Sequence, residues 1–349
     1  MSSKEIFSEE NIKKNVLPLF NIIGGQVSQI KFKNTEKQRA VYKVIYYDKA
    51  YCLKKVYFSK EDLLFVYSAL EWLYRNGINV PRFLPSADKK RYVLWGGMLF
   101  VLTDWLQGEK CDYDNLEHII KCSTNLGKMH RISKNFTPIH GSTLREGYGN
   151  IYTSYNKHFN DLLSIYNKSE KYNDKFSKIY ADNFSDNFIL SKRAVEIASL
   201  IDHSKLTKAL CHMDYVNKNI LIKGDIVSVI DFDKCRMDYV SHDISYFLRR
   251  ILKRNNSKWS LEIAISSINL YLEENSLNLN DYLYTISYLS FPQKYWKISR
   301  DYYKNRDKCN KESFTLLLND AVERDDLQIN FLNDFLDYIE NKFKIKLPG

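Results

Sequence analysis

The stretch CHMDYVNKNILIKGDIVSVIDFD, residues 211 to 233, holds an Asp two residues after a His, an Asn five residues further on, and two more Asp at its end. A hard divalent cation such as Mg2+ takes oxygen ligands from one or two carboxylates, an amide carbonyl and substrate phosphates. Asn219 and Asp231, with Asp233 beside them, are that kind of set. A carboxylate that stays off the metal can accept the proton of an attacking hydroxyl, and Asp214 is available for it. The combination suits phosphoryl transfer, in which positioning and charge neutralisation do most of the catalysis. Each residue also has a plain structural use. Asp231 and Asp233 could end a strand and open a turn, Asn219 could be a turn residue, and His212 a satisfied loop histidine.

These side chains meet only if the chain folds back on itself. With 220–222 and 226–230 as strands joined by the turn Lys223-Gly224-Asp225, Asn219 faces Val229 and Asp231 becomes its diagonal neighbour on the same face. The inference needs an odd-numbered turn, because an even one sends Asp231 to the opposite face. Upstream, strand-like pieces at 26–32, 40–47 and 50–57 form a meander, and apolar residues at 63, 66, 70 and 73 have the period of an amphipathic helix. Ser59 is its expected N-cap and Gly77 its stop. Strands at 91–95 and 98–103 follow, and the chain then leaves the sheet through TDWLQGEKCD. Beyond residue 116 the pattern is mostly helical. The expectation is an α+β fold in two lobes: 1–104, a small β-meander-plus-helix lobe, and 105–349, a larger mostly helical lobe holding the hairpin.

H-x-D-x-x-x-x-N followed by an I-D-F-D strand end resembles the catalytic and metal-binding loops of the protein-kinase-like superfamily, in particular its small-molecule branch of aminoglycoside phosphotransferases, choline kinases and homoserine kinases. The resemblance implies a bilobal kinase-like fold, with 1–104 as the nucleotide-binding lobe and the acceptor site in 105–349, and ATP with Mg2+. Asp214 would be the catalytic base, Asn219 and Asp231 the metal ligands with Asp233 assisting, and His212 a scaffold residue. Lys218 would neutralise the transferred phosphate. In AYCLKKVY it points to Lys54 as the lysine on the α/β-phosphates; strand alternation puts Lys55 on the other face. Glu71 and Glu61 are the carboxylates available to partner Lys54, although the family spacing falls nearer Val66, where there is no acid. LTDWLQG resembles the hinge whose backbone, Asp104, Trp105 and Leu106, bonds the adenine edge. Asp243 is either a helix N-cap or a brace for the catalytic loop. Two departures stand out. The link KNTEKQR has no glycine, which leaves Lys33, Lys37 and Arg39 as charges that could hold phosphate, and Met213 sits where most of the branch has Gly.

Over nearly its whole length the chain is also similar to the CotS-type spore-coat kinase-like group of endospore-forming bacteria, through LCHMDYVNKNILI, VIDFDKCRMDYVSHDISYFLRRILKRNNSKW and YLSFPQKYWKISRDYY. That likeness implies synthesis in the mother cell, association with the spore coat and possible coat-protein partners, with either a phosphotransferase of a small hydroxylated molecule or a kinase fold kept for structure.

The net charge of +10 favours anionic partners, but Lys and Arg are dispersed among 42 acidic residues, so no nucleic-acid partner is expected. The six cysteines are scattered without a C-x-x-C pair and read as reduced core thiols. The N-terminus lacks the uninterrupted apolar run of a signal peptide, and no membrane span is expected. Phe291, Tyr295 and Trp296 are aromatic candidates for an acceptor pocket, with core packing as their plainer role.

Overall fold

A computed structural model describes residues 6–32 and 40–347; the glycine-free link, with Lys33, Lys37 and Arg39, lies outside the described residues. The first sheet is antiparallel, in the order β1-β2-β3-β5-β4, from β1 (Gln26–Phe32), β2 (Ala40–Tyr46), β3 (Lys49–Val56), β4 (Val93–Trp95) and β5 (Met98–Asp104). Its register divides the side chains by parity. Tyr42 pairs with Leu53 and Leu53 with Leu102, and these residues, with Ala40, Val44 and Phe100, pack against Phe7, Ile12, Val16, Leu17 and Phe20 of the preceding helical segment. One position along, Val41 pairs with Lys54, Lys54 with Val101, and Cys52 with Thr103, and this row lines a cavity. Alternation along a pleated strand thus gives the sheet a dry face and a binding face.

Helix α1 (Lys60–Arg75) begins at Ser59, whose Oγ accepts from the Asp62 N–H at 3.1 Å, and ends before Gly77 at φ +80°. Glu61 and Asp62 lie in its first turn and Arg75 in its last, the charge order the helix dipole favours. Leu63, Val66, Leu70 and Leu73 form its buried stripe, and Val66 and Leu70 reach the cavity.

The chain forms two compact units. One compact unit comprises Met1–Asp112, Lys128–Glu146 and His212–Met237, so the chemistry-bearing hairpin belongs with the first sheet rather than with the helical remainder. Backbone pairing is the reason: β6 (Glu109–Lys110) pairs with β7 (Ile220–Lys223), and Asn79 bridges Ser228 of β8 (Ile226–Val229), its amide donating to the serine hydroxyl at 2.6 Å. Gly108, at φ +146°, makes the β6 pairing possible, since a Cβ there would stand 2.9 Å from the Ile222 carbonyl oxygen.

The second unit comprises Tyr113–Gly127, Gly147–Cys211 and Asp238–Gly349 and is mainly helical. The helix Leu279–Ser290 is buried along most of its length; its Asp281 receives hydrogen bonds from Thr207 and Ser241, and Ser287 donates to the Ala194 carbonyl. Phe291, Tyr295 and Trp296 are all buried, and Tyr295 stacks on Tyr180 at 4.6 Å, so their role is packing. Asp243 lies fully buried in the first turn of Val240–Leu252; the N-cap position is Tyr239, so Asp243 does not cap the helix. No described helix is long and apolar enough to cross a membrane.

Candidate active site

The hairpin does not have the expected register. Lys223 pairs with Ile226, which leaves a two-residue turn, Gly224-Asp225, and Ile220 faces Val229. Asn219 then lies opposite Ile230, whose N–H donates to the Asn219 carbonyl at 2.9 Å, and simple alternation would turn Asp231 away. Two local departures from strand geometry undo that. Asn219 sits in a 3-10 turn, 217–219, and Asp231 is left-handed at φ 67°, ψ 55°, a conformation that Asp tolerates better than most residues. As a result Asn219, Asp231 and Asp233 line the same cavity as Lys54 and Lys218.

Lys54 reaches Asp231 Oδ1 at 2.8 Å and Asp233 Oδ1 at 2.5 Å. Burial by itself would lower the lysine pKa, but the two carboxylates outweigh it and raise it, so the ammonium is held charged. A single cation bridging two carboxylates shows that the carboxylates already form a cradle for positive charge.

The loop that carries Asp214 is held by His212. This histidine is fully buried, with its ring edge-on to Phe232 at 4.5 Å. Its Nδ1 accepts from the Asp214 N–H at 3.2 Å, which assigns the proton to Nε2, 3.0 Å from the Ile230 carbonyl. The Asn219 amide donates to the Asp214 carbonyl at 3.0 Å, so that its oxygen is the atom it could offer to a cation. The Asp214 carboxylate faces two ammonium groups, Lys234 at 3.3 Å and Lys218 at 3.9 Å, both from Oδ2.

The rest of the cavity, about 490 Å³, is walled by Val41, Val66, Leu70, Phe83, Val101, Leu221 and Ile230 and reaches Asp104, Trp105 and Leu106. The lining thus combines an apolar wall with several charged side chains, and the volume suits a small organic ligand. The Trp105 N–H donates to the Ala50 carbonyl, and the Trp105 ring lies under Lys43 at 5.1 Å.

Glu71 is not the partner of Lys54. Its carboxylate is held by Arg82 through two bonds of 2.9 Å, which lower its pKa, with Arg75 at 3.7 Å. The family spacing toward Val66 was the better guide: Val66 faces the cavity and brings no charge. Two residues went unnoticed in the sequence. Lys234 approaches the Asp214 carboxylate, and Arg145 donates to the Asp233 carbonyl at 2.8 Å while its own carbonyl accepts from the Met237 N–H. Nothing in STLREGYGN marks Arg145, whereas Lys234 lies directly after the acidic pair and carries a signal that could have been used. Met213 takes a left-handed φ of 65°, where a glycine would be relaxed.

Comparison with solved structures places the architecture. Aminoglycoside phosphotransferase from Alicyclobacillus acidocaldarius matches with a TM-score of 0.75 at 16% identity, over 94% of this chain and 96% of that one. Amicoumacin kinase, in complex with AMP-PNP, Ca2+ and amicoumacin, gives 0.64 at 17% identity over 93% and 95%. Spectinomycin phosphotransferase, in complex with ADP and spectinomycin, gives 0.63 at 16% over 94% and 98%. These likenesses establish the kinase-like fold. The model of the phosphotransferase enzyme family, APH, matches residues 35–266, a span that contains Lys54, the hinge, Asp214 and the cation cradle. The chain belongs to the phosphotransferase enzyme family.

Proposed function

We propose that the protein transfers the γ-phosphoryl group of ATP, as its Mg2+ complex, to a hydroxyl of a small molecule. The observation that carries this reading is the joint placement of Lys54, Asn219, Asp231 and Asp233 on one cavity with Asp214 bonded into the same loop. The donor set fits a hard cation, with two carboxylate oxygens close enough to share one ammonium and an amide oxygen beside them. Asp231, Asp233 and Asn219 would hold Mg2+, which when bound supplies charge neutralisation for the phosphates. Lys54 would turn from the carboxylates to the α/β-phosphates, and the hinge backbone at 104–106 would take the adenine edge. Asp214 accepts the hydroxyl proton. The nucleotides and cation in the two neighbouring complexes named above support the choice of cofactor.

The test is Asp214→Asn in the full chain. Turnover should fall by roughly 10²- to 10⁴-fold, while Mg-AMP-PNP still raises the unfolding midpoint as in the parent protein. Equal turnover in parent and variant, or no nucleotide-dependent stabilisation, would refute the proposal. Association with the spore coat is proposed on the sequence likeness alone. A fluorescent fusion that stays diffuse in the mother cell throughout coat assembly would count against it.

A further inference from the structure

The cations of the site fall into two sets. Lys54 lies between Asp231 and Asp233, on the side where metal and phosphates would bind. Lys218 and Lys234 converge instead on the base, both toward Oδ2 of Asp214, and are largely exposed, at 64% and 54% against 10% for the aspartate. Lys234 is not part of the cavity wall. Lys234 donates to Oδ2 at 3.3 Å, which leaves the other carboxylate oxygen, Oδ1, as the one to receive a substrate proton.

We propose that Lys218 and Lys234 select an acceptor alcohol that carries its own negative charge, a carboxylate or phosphate a few bonds from the reacting hydroxyl. The inference rests on phosphoryl transfer with Asp214 as base and adds the class of acceptor. A hydroxyl donating to Oδ1 at roughly 2.7 Å stands only a few ångströms beyond two long-armed ammonium groups. Asp214 itself can balance only one of them. A cationic acceptor meets the surplus as repulsion, a neutral one is indifferent to it, and an anionic one completes the ion pairing. In the transfer, the acceptor O–H bond breaks and its proton goes to Asp214 Oδ1. The oxygen forms a bond to the γ-phosphorus, the bond from that phosphorus to the bridging oxygen breaks, and ADP leaves.

The experiment uses the full chain saturated with Mg-AMP-PNP and follows, by ligand-observed NMR, the binding of three alcohols of similar size: sn-glycerol 3-phosphate, glycerol and choline. The anion should bind at least tenfold more tightly than glycerol, and choline most weakly. Lys234→Met and Lys218→Met should each lose about fivefold of that preference, whereas Lys223→Met, on an exposed strand end of the hairpin, should keep it. Absence of discrimination, or a preference for choline, overturns the inference. So does an unchanged preference in both variants accompanied by weaker Mg-AMP-PNP binding, which would assign the lysines to the nucleotide alone. If Mg-AMP-PNP does not bind the parent protein, phosphoryl transfer itself fails and this inference with it.

Discussion

Lys54 and Lys55 are consecutive residues of one strand with opposite surroundings. Lys54 meets two carboxylates in the cavity, which keep it charged. Lys55 points into the dry face, buried, with its ammonium 4.1 Å from the centre of the Phe7 ring, and burial lowers its pKa. The same functional group is therefore an ion-paired cation on one side of the sheet and a tolerated burden on the other, where, among the described residues, a ring face offsets the lost hydration. Strand parity alone separates the two.

The sharpest way to break this comparison is to remove each lysine in turn. Lys54→Met should lower kcat/KM by at least ~10²-fold, and Lys55→Met should leave it within about twofold; steady-state kinetics checks both, and comparable losses would remove the distinction. A smaller effect concerns the cradle without nucleotide. In Lys54→Met the two carboxylates lose their internal counter-ion, so the affinity for Mn2+, read by paramagnetic relaxation of water, should rise roughly tenfold, with no change in Lys55→Met. Third comes stability. Lys55→Met should raise it by about 1 kcal/mol near neutral pH. The sign follows from the lowered pKa: the unfolded chain holds the Lys55 proton more tightly, so parent stability climbs as pH rises toward the ordinary lysine value. The advantage of the methionine should therefore shrink in alkaline denaturation series, and an advantage that grows with pH would contradict this account. The smallest effect is that of Glu71→Gln. It should leave turnover within about twofold and cost under about 1 kcal/mol, since Glu71 holds the half-exposed Arg82 rather than Lys54; a turnover loss matching Lys54→Met would show that the two act together.

Much of the site was legible because it depends on short-range patterns. The family resemblance pointed to Lys54 and parity set Lys55 on the other face, the apolar stripe at 63, 66, 70 and 73 gave helix α1 with its Ser59 cap, and the spacing of His212, Asp214 and Asn219 marked the loop. The hairpin misled for a definable reason. Turn length is weakly encoded in Lys-Gly-Asp, and an even register was reconciled with a common site by the left-handed torsion at Asp231, which no residue pattern announces. Long-range partners were hidden as well: Arg145 comes 88 positions before the carbonyl it holds, and Arg82 claims a carboxylate that sequence reasoning had offered to Lys54. The placement of the hairpin with the first sheet was likewise invisible, being set by the two-residue pairing at Glu109–Lys110 and by Asn79.

Asn219 works through both of its amides. The main-chain carbonyl is bonded by Ile230, next to Asp231, and the side-chain amide grips the backbone of Asp214. Under the proposed reaction, a pull on the remaining oxygen of Asn219 would reach Asp214 through a single covalent residue. Loading of one half of that reaction and alignment of the other would then be geared together, with no moving segment required between them.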